Sequence, residues 1–134
     1  MEQQPLLNRT IIIARVLSMY FLVTGMGFLL SADFFNKMII QLGSDPVLIN
    51  LSGMVHFFIG ATIITIHFYW KTPLQIIVSL LGTLFLIKGT LLIVFPELTL
   101  KTANNPIQNV SLMAAGFIFI GLSIGYLAFT KSVK

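Results

Sequence analysis

The sequence has no cysteine and very few charged residues. Without cysteine, disulfides, thiolate metal sites and cysteine nucleophiles are excluded, and the redox compartment is left open. Charged residues make up 9% of the chain, whereas they make up roughly 25% of soluble domains. Hydrophobic residues make up 57%, and the mean hydropathy is +0.97. This composition indicates a chain that resides in a lipid bilayer.

Several signatures of catalysis and of nucleic-acid binding are also missing. The sequence contains no HExxH zinc motif, no glycine-rich phosphate loop and no pair of acids inside an apolar stretch. The net charge of +4 comes from basic residues scattered near the ends of apolar stretches, which does not indicate a nucleic-acid partner. We therefore predict a protein that is not an enzyme, with no catalytic residues, no metal and no cofactor.

Four apolar stretches are long enough to cross a bilayer. A spanning helix needs about 20 mainly apolar residues. The stretches predict helices at about 10–31, 47–70, 74–95 and 107–130. The sequence thus predicts an all-α, polytopic membrane four-helix bundle that forms a single domain over residues 1–134.

Basic residues are unequally divided between the two sides of this bundle. Cytoplasmic segments of membrane proteins carry an excess of Lys and Arg. The richer side, which includes both termini, is therefore predicted to be cytoplasmic. Its basic residues are Arg9, Arg15, Lys71, Lys131 and Lys134, against Lys37 and Lys101 on the other side.

The segment after the first span has its own pattern. Apolar residues at positions 34, 35, 38, 39 and 42 follow helical spacing. They predict a short amphipathic helix that lies at the outer membrane interface. One interpretation is that this helix covers the outer end of the bundle. The other is that it binds a periplasmic partner.

A two-helix unit occurs twice in the sequence. Residues 21–25 align with 85–89 at an offset of 64, and residues 50–52 align with 109–111 at an offset of 59. Each unit is an apolar helix, a short polar stretch with one acid and one lysine, and a second apolar helix. A duplication predicts two tandem transmembrane hairpins, repeat unit 1 at about 10–72 and repeat unit 2 at about 73–132, related by an axis along the membrane normal.

The polar stretch of the second unit reads Phe-Pro-Glu at 95–97, with Lys101 after it, and the first unit follows the pattern without the proline. This unit resembles the small YjeT-like bacterial inner-membrane proteins, a family of unknown function. Those proteins look like one apolar helix, a segment of this kind and a second, glycine-containing helix. The resemblance covers residues 16–70 and 80–131. It implies a multi-pass protein of a bacterial inner membrane and carries over no catalytic residue.

One lysine interrupts the third apolar stretch. A lysine near mid-membrane costs about 2.5–3.5 kcal/mol on insertion scales, so Lys88 is expected to face the bundle or to extend toward the headgroups. His56 and Thr24 lie at a similar depth on other helices, so the three residues predict one polar layer. One interpretation is helix packing, and the other is contact with an ion, a proton or a ligand.

A second histidine raises the possibility of haem. His67 is eleven residues after His56 and on the same helical face, a spacing compatible with two haem groups. Each haem would need a second axial ligand from another helix, and no other helix contains histidine. The simpler interpretation is that His67 lies at the inner membrane interface.

Small residues form stripes on two of the predicted helices. Gly121 and Gly125 mark one face of the fourth helix, and Gly53 and Gly60 share a face with His56 on the second. Small faces let membrane helices approach closely. They predict either packing within one chain or association with a second membrane protein.

Three functions remain open at this level. The favoured prediction is a non-catalytic accessory or assembly subunit of a membrane complex, in contact with lipid and with another membrane protein or with copies of itself. The first alternative is a small transporter or channel that uses the layer of Lys88 and His56. The second is a redox subunit that binds haem or quinone.

Overall fold

The computed structural model describes residues 3–42, 45–97 and 109–130. Within these ranges the chain is helical, without strands. Four of the helices are long and apolar enough to cross a membrane, namely Leu6–Leu30 within α1, and α3, α4 and α5. This confirms the predicted all-α architecture with four candidate spans. The helices are α1 (Gln3–Leu30), α2 (Ala32–Leu42), α3 (Pro46–Ile66), α4 (Pro73–Val94) and α5 (Val110–Phe129).

The starts of three helices are fixed by capping side chains. Asp45 Oδ1 accepts the backbone N–H of Val47 at 2.8 Å, and Pro46 follows as the first helical residue. Thr72 and Gln75 form a capping box, with Gln75 N–H donating to Thr72 Oγ1 at 3.3 Å. Asn109 caps α5 in the same way. A cap satisfies backbone donors that would otherwise lack a partner, and proline has no such donor to lose.

The helix predicted after the first span is present as α2. Backbone hydrogen bonds run through the junction at Ser31, which accepts from Phe35 N–H at 3.0 Å. Phe35 packs edge-on against Phe28 of α1 at 4.5 Å between ring centroids. On the other side of α2, Phe34 and Ile40 are 63% and 74% exposed. The side chain of residue 42 lies outside the described part of the structure.

The long helices pack as two antiparallel pairs. Helix α3 packs along α4, and α1 packs along α5, whereas α1 and α3 make little contact. Residues 67–72 connect α3 to α4 directly. The pairing of α1 with α3 expected from tandem hairpins is therefore not confirmed. We call the end of the bundle where α1 begins and α3 ends the inner end.

The burial pattern repeats along the chain. Residues of α1 and residues of α4 at an offset of 64 are buried together, as are residues of α3 and of α5 at an offset of 61. We call residues related by these offsets counterparts. A duplicated unit would produce such a pattern. The offset of 61 between α3 and α5 differs by two residues from the offset of 59 in the sequence alignment. Buried counterparts include Ala14 with Val78, Ser18 with Gly82, Ile49 with Val110, Gly60 with Gly121 and Ile63 with Ile124.

Glycines bring the paired helices together. A Cβ atom on Gly60 would collide with the backbone of Leu86, and one on Gly89 would collide with the backbone of Phe57. In the other pair, a Cβ on Gly121 would lie 2.9 Å from Leu22 Cγ. Apolar burial gives helices little reason to associate inside lipid, so this close approach supplies the contact.

All four glycines that the sequence singled out lie in interfaces within the chain. Gly53 and Gly60 face α4, and Gly121 and Gly125 face α1. By contrast, a Cβ on Gly116 would meet nothing within 4 Å. The packing interpretation thus accounts for these four glycines without a second copy.

Candidate functional site

Four rings form a row across the centre of the bundle. Phe21 of α1 and Phe85 of α4 are counterparts, and their ring centroids are 6.4 Å apart. Phe21 and Phe85 thus bring the two helix pairs into contact at counterpart positions. Phe117 packs on Phe21 at 5.4 Å, and His56 packs on Phe85 at 5.5 Å. His56 and Phe117 are counterparts as well, so His56 occupies the place of an aromatic ring.

The His56 ring is held by its own helix. Its Nδ1 lies 2.7 Å from the backbone carbonyl of Ser52, one turn earlier in α3. Because a carbonyl oxygen only accepts hydrogen bonds, Nδ1 carries the proton and donates it. A neutral His56 therefore has its lone pair on Nε2. The ring of His56 therefore packs as an aromatic side chain, while its Nε2 atom can still accept a hydrogen bond or bind a proton.

Lys88 lies beside this row of rings. Its side chain is more than a third exposed, and it lines a small cavity of about 120 Å³ with Phe21, Leu84 and Phe85. Among the described residues, no hydrogen bond or ion pair holds its ammonium group. Lys88 and His56 thus both adjoin the Phe85 side chain.

Thr24, the third member of the predicted layer, is half-buried on α1 and is the counterpart of Lys88. Within the described ranges, no hydrogen bond joins Thr24 to His56 or to Lys88. The two ionisable residues therefore share a site, whereas the threonine is not connected to it. A complete polar layer across three helices remains a prediction.

A second polar cluster lies at the inner end and joins three parts of the chain. His67 follows the last residue of α3 and is completely buried. Its Nε2 lies 2.8 Å from Thr10 Oγ1 of α1, and its Nδ1 lies 3.3 Å from Ser79 Oγ of α4. Thr10 and Ser79 are also fully buried. We call these three residues the His67 cluster.

Backbone groups complete the His67 cluster. The Thr10 hydroxyl lies 2.9 Å from the carbonyl of Leu6, and the Ser79 hydroxyl lies 3.0 Å from the carbonyl of Tyr69. Because a neutral imidazole donates through one nitrogen and accepts through the other, one of these hydroxyls donates to its carbonyl and accepts from His67, while the other donates to His67. Tyr69 N–H donates in turn to Ser79 Oγ at 3.1 Å. The described residues contain no buried side-chain polar atom without a partner. Buried polar groups that are fully bonded stabilise one arrangement of the helices.

The electrostatics of the cluster favour a neutral ring. His67 lies one residue beyond the span that ends at Ile66. Burial there lowers the pKa of His67 below its ordinary value, although a hydrogen bond between the ring and the backbone of His67 itself partly opposes this shift. Because both ring nitrogens face hydroxyl groups, neither is open to bind iron, and the geometry does not favour haem at His67.

Sequence reasoning identified His67 but missed Thr10 and Ser79. The one feature of the sequence that pointed to Thr10 and Ser79 was that each is an isolated hydroxyl residue in an apolar helix near the inner end. Such residues usually bond to the preceding turn, as Thr83 does with Ser79 O at 2.8 Å. Spacing along the sequence does not distinguish the two cases, because the partner of Thr10 is 57 residues away.

Comparisons of the chain with protein-family models, with curated proteins and with solved structures give no match. The resemblance to the YjeT-like family therefore stays an expectation. Among the described residues, no group of three or more metal-ligating side chains is close enough to hold a metal ion.

Proposed function

We propose that the protein is a non-catalytic integral membrane subunit that assembles with another membrane protein in a bacterial inner membrane. The observation that carries this proposal is the outward face of α2. Phe34 and Ile40 are exposed at its two edges, and the exposed charges of Asp33 and Lys37 lie between them. Exposed apolar groups bordered by charges are typical of interaction surfaces.

The proposal places α2 at the outer membrane interface, with its inner side on the bundle. Phe35 and Ile39 pack against the buried cluster of Phe28, Val110 and Ala114, which anchors α2 to α1 and α5. The opposite side is then presented toward the headgroups and toward any partner. An amphipathic helix of this kind is held by buried apolar area, and it offers a fixed surface above the bilayer.

The polar groups inside the spans also support a non-catalytic role. Hydroxyl groups of α3, α4 and α5 donate to carbonyls one turn earlier in their own helices. Ser18 of α1 donates to Gly121 O at 2.8 Å and thereby ties α1 to α5. Because these hydroxyl groups are bonded to backbone carbonyls, few polar side chains inside the spans are left to bind or activate a substrate.

Affinity purification in mild detergent with mass spectrometry tests this proposal. We expect a stoichiometric membrane partner that is lost when Phe34 and Ile40 are both changed to Ala. The matched control is Phe119→Ala, which removes an equally exposed ring, 72% exposed, from α5. Purification of the chain alone under these conditions contradicts the proposal.

A small transporter or channel is the second candidate, because Lys88 and His56 adjoin the same ring and Lys88 lines a cavity. Lys88→Leu should insert normally, since leucine is easier to place in lipid than lysine. In reconstituted vesicles, this variant should lose proton or ion flux if the two residues form a pathway. Unchanged flux, or no flux in the wild type, argues against this candidate.

A further inference from the structure

A groove runs along the bundle surface between α1 and α3, the two helices that make little contact. Its volume is about 380 Å³, and all but one of its lining residues are apolar. Leu17 and Ile63 are buried at its floor, while Ile12, Val16 and Phe58 stand exposed at its edges. It extends from residue 58 to residue 66 of α3, which is roughly 12 Å of helix. These dimensions suit a hydrocarbon chain.

A cationic side chain lies at the inner end of this groove. Arg9 is exposed and precedes Ile12 and Ile13 by three and four residues, so the three share one face of α1. Side chains on a helix lean toward its N-terminus, which directs Arg9 away from the hydrocarbon and toward the headgroup level. Within the described part of the chain, no acid or carbonyl binds its guanidinium group.

The other half of the molecule lacks this combination. The counterparts of Ile12, Ile13 and Leu17 on α4 are Ile76, Ile77 and Leu81, which are equally apolar. The counterpart of Arg9 is Pro73, which has no charge. In addition, α4 and α5 make somewhat more contact with each other than α1 and α3 do. The cation at the inner end of such a face therefore occurs in the half that contains α1.

We propose that the groove between α1 and α3 binds one anionic phospholipid, with an acyl chain along the groove and the phosphate on Arg9. The guanidinium group pairs with phosphate in a bidentate manner. Basic residues between helices at the cytoplasmic side of a membrane bind anionic headgroups. The apolar edges hold the chain, and Arg9 selects the headgroup.

Native mass spectrometry of the purified full chain in mild detergent tests the proposal. The protein is titrated with dioleoylphosphatidylglycerol or with dioleoylphosphatidylcholine, and bound lipids are counted. We expect one tightly retained phosphatidylglycerol and an about fivefold preference for it, the size that one basic residue contributes near a membrane surface. Arg9→Gln should lower its affinity to that of phosphatidylcholine, while Lys71→Gln, which removes another exposed charge, should leave the preference intact.

Groove-filling variants test the position of the acyl chain. Val16→Trp should reduce the retention of both lipids several-fold, and the counterpart change Leu80→Trp should leave it unchanged. If Val16→Trp does not fold, Ile12→Trp replaces it at the same edge. The proposal is overturned if the wild type shows no preference, if Arg9→Gln and Lys71→Gln act alike, or if the two tryptophan variants act alike.

Discussion

The two helix pairs have the same pattern of buried positions but different chemistry at their contacts. In the α3–α4 pair, glycine faces glycine, so that a Cβ on Gly60 or Gly89 would meet backbone atoms. In the α1–α5 pair, the place of Gly82 is taken by Ser18, whose hydroxyl bonds to Gly121 O. Both pairs include glycines close to the partner backbone, but the approach is tighter in the α3–α4 pair, and the α1–α5 pair adds a side-chain hydrogen bond. Positions with the same burial pattern thus carry different interactions in the two pairs.

The inner ends of the two pairs differ in a similar way. Where one half has His67 and Ser79, the counterparts in the other half are Ala128 and Arg15. Arg15 Nε donates to Ala128 O at 3.3 Å, and its guanidinium carbon lies 4.9 Å from the centre of the Phe129 ring. The first end is a buried neutral network, whereas the second is a half-buried cation on an aromatic ring.

Alanine at the counterpart glycines should give the largest difference between the pairs. Gly60→Ala should destabilise the protein by about 3 kcal/mol, because the added Cβ meets the rigid backbone of Leu86. Gly121→Ala should cost about 1 kcal/mol, because its nearest neighbours, Leu22 Cγ and the backbone N of Leu22, lie farther from the added Cβ, at 2.9 and 3.0 Å. Thermal unfolding in detergent, followed by circular dichroism, measures both. Gly116→Ala is the control and should change stability by less than about 0.5 kcal/mol. Equal losses at positions 60 and 121 would contradict the distinction between the pairs.

Removing the ring of His67 should destabilise the inner end. His67→Ala leaves Thr10 and Ser79 without their side-chain partner, which we expect to cost about 2 kcal/mol. The loss should appear as faster hydrogen exchange at residues 67–72 and at the start of α4. The control is Thr65→Ala, since Thr65 bonds within its own helix. A loss no greater than that of the control would show that the cluster contributes nothing.

Acidification should act on the same end, with a smaller effect. Burial lowers the pKa of the folded His67, so the unfolded chain binds a proton more readily than the folded one. The stabilisation is complete above about pH 6.5, the ordinary pKa of histidine, and is lost as the pH falls toward the lower pKa of the folded state. The melting temperature should therefore decrease below this pH in the wild type. It should decrease less in His67→Gln, and an identical decrease in both would exclude His67 as the cause.

The smallest effect is expected at the central row of rings. His56→Phe installs the residue found at its counterpart, position 117, and should change stability by less than about 0.5 kcal/mol. His56→Ala, which removes the contact with Phe85, should cost more. Melting temperatures of the two variants measure this difference. A large loss in His56→Phe would mean that its nitrogen atoms, rather than its ring shape, are required.

The helices themselves could be predicted from the sequence, because a run of apolar residues is a sufficient signal for a span. Their exact ends could not. The second span was expected to continue to residue 70, but the helix ends at Ile66, where the next residue becomes extended and bonds through its ring. Hydropathy does not register such a side-chain bond.

Two further features could not be predicted from the sequence: which helices pair, and the offset that relates α3 to α5. The spans are apolar on all sides, so no face identifies its neighbour. The alignment placed Asn50 over Asn109, yet Asn109 caps α5 whereas Asn50 lies inside α3. Matching the two asparagines gave an offset of 59 between the helices. Matching the buried positions of α3 and α5 gives an offset of 61.

The order of the two pairs along the chain has a consequence for biosynthesis. Helices α3 and α4 are neighbours in sequence, so they can associate as soon as both have left the ribosome. Helix α1 is made before α3 and α4, but its main partner α5 is made after them. Contacts between distant segments form late because the intervening chain must be brought together. The first helix therefore lacks its main partner until α5 has been made, and during that interval the side of α1 that packs on α5 is uncovered.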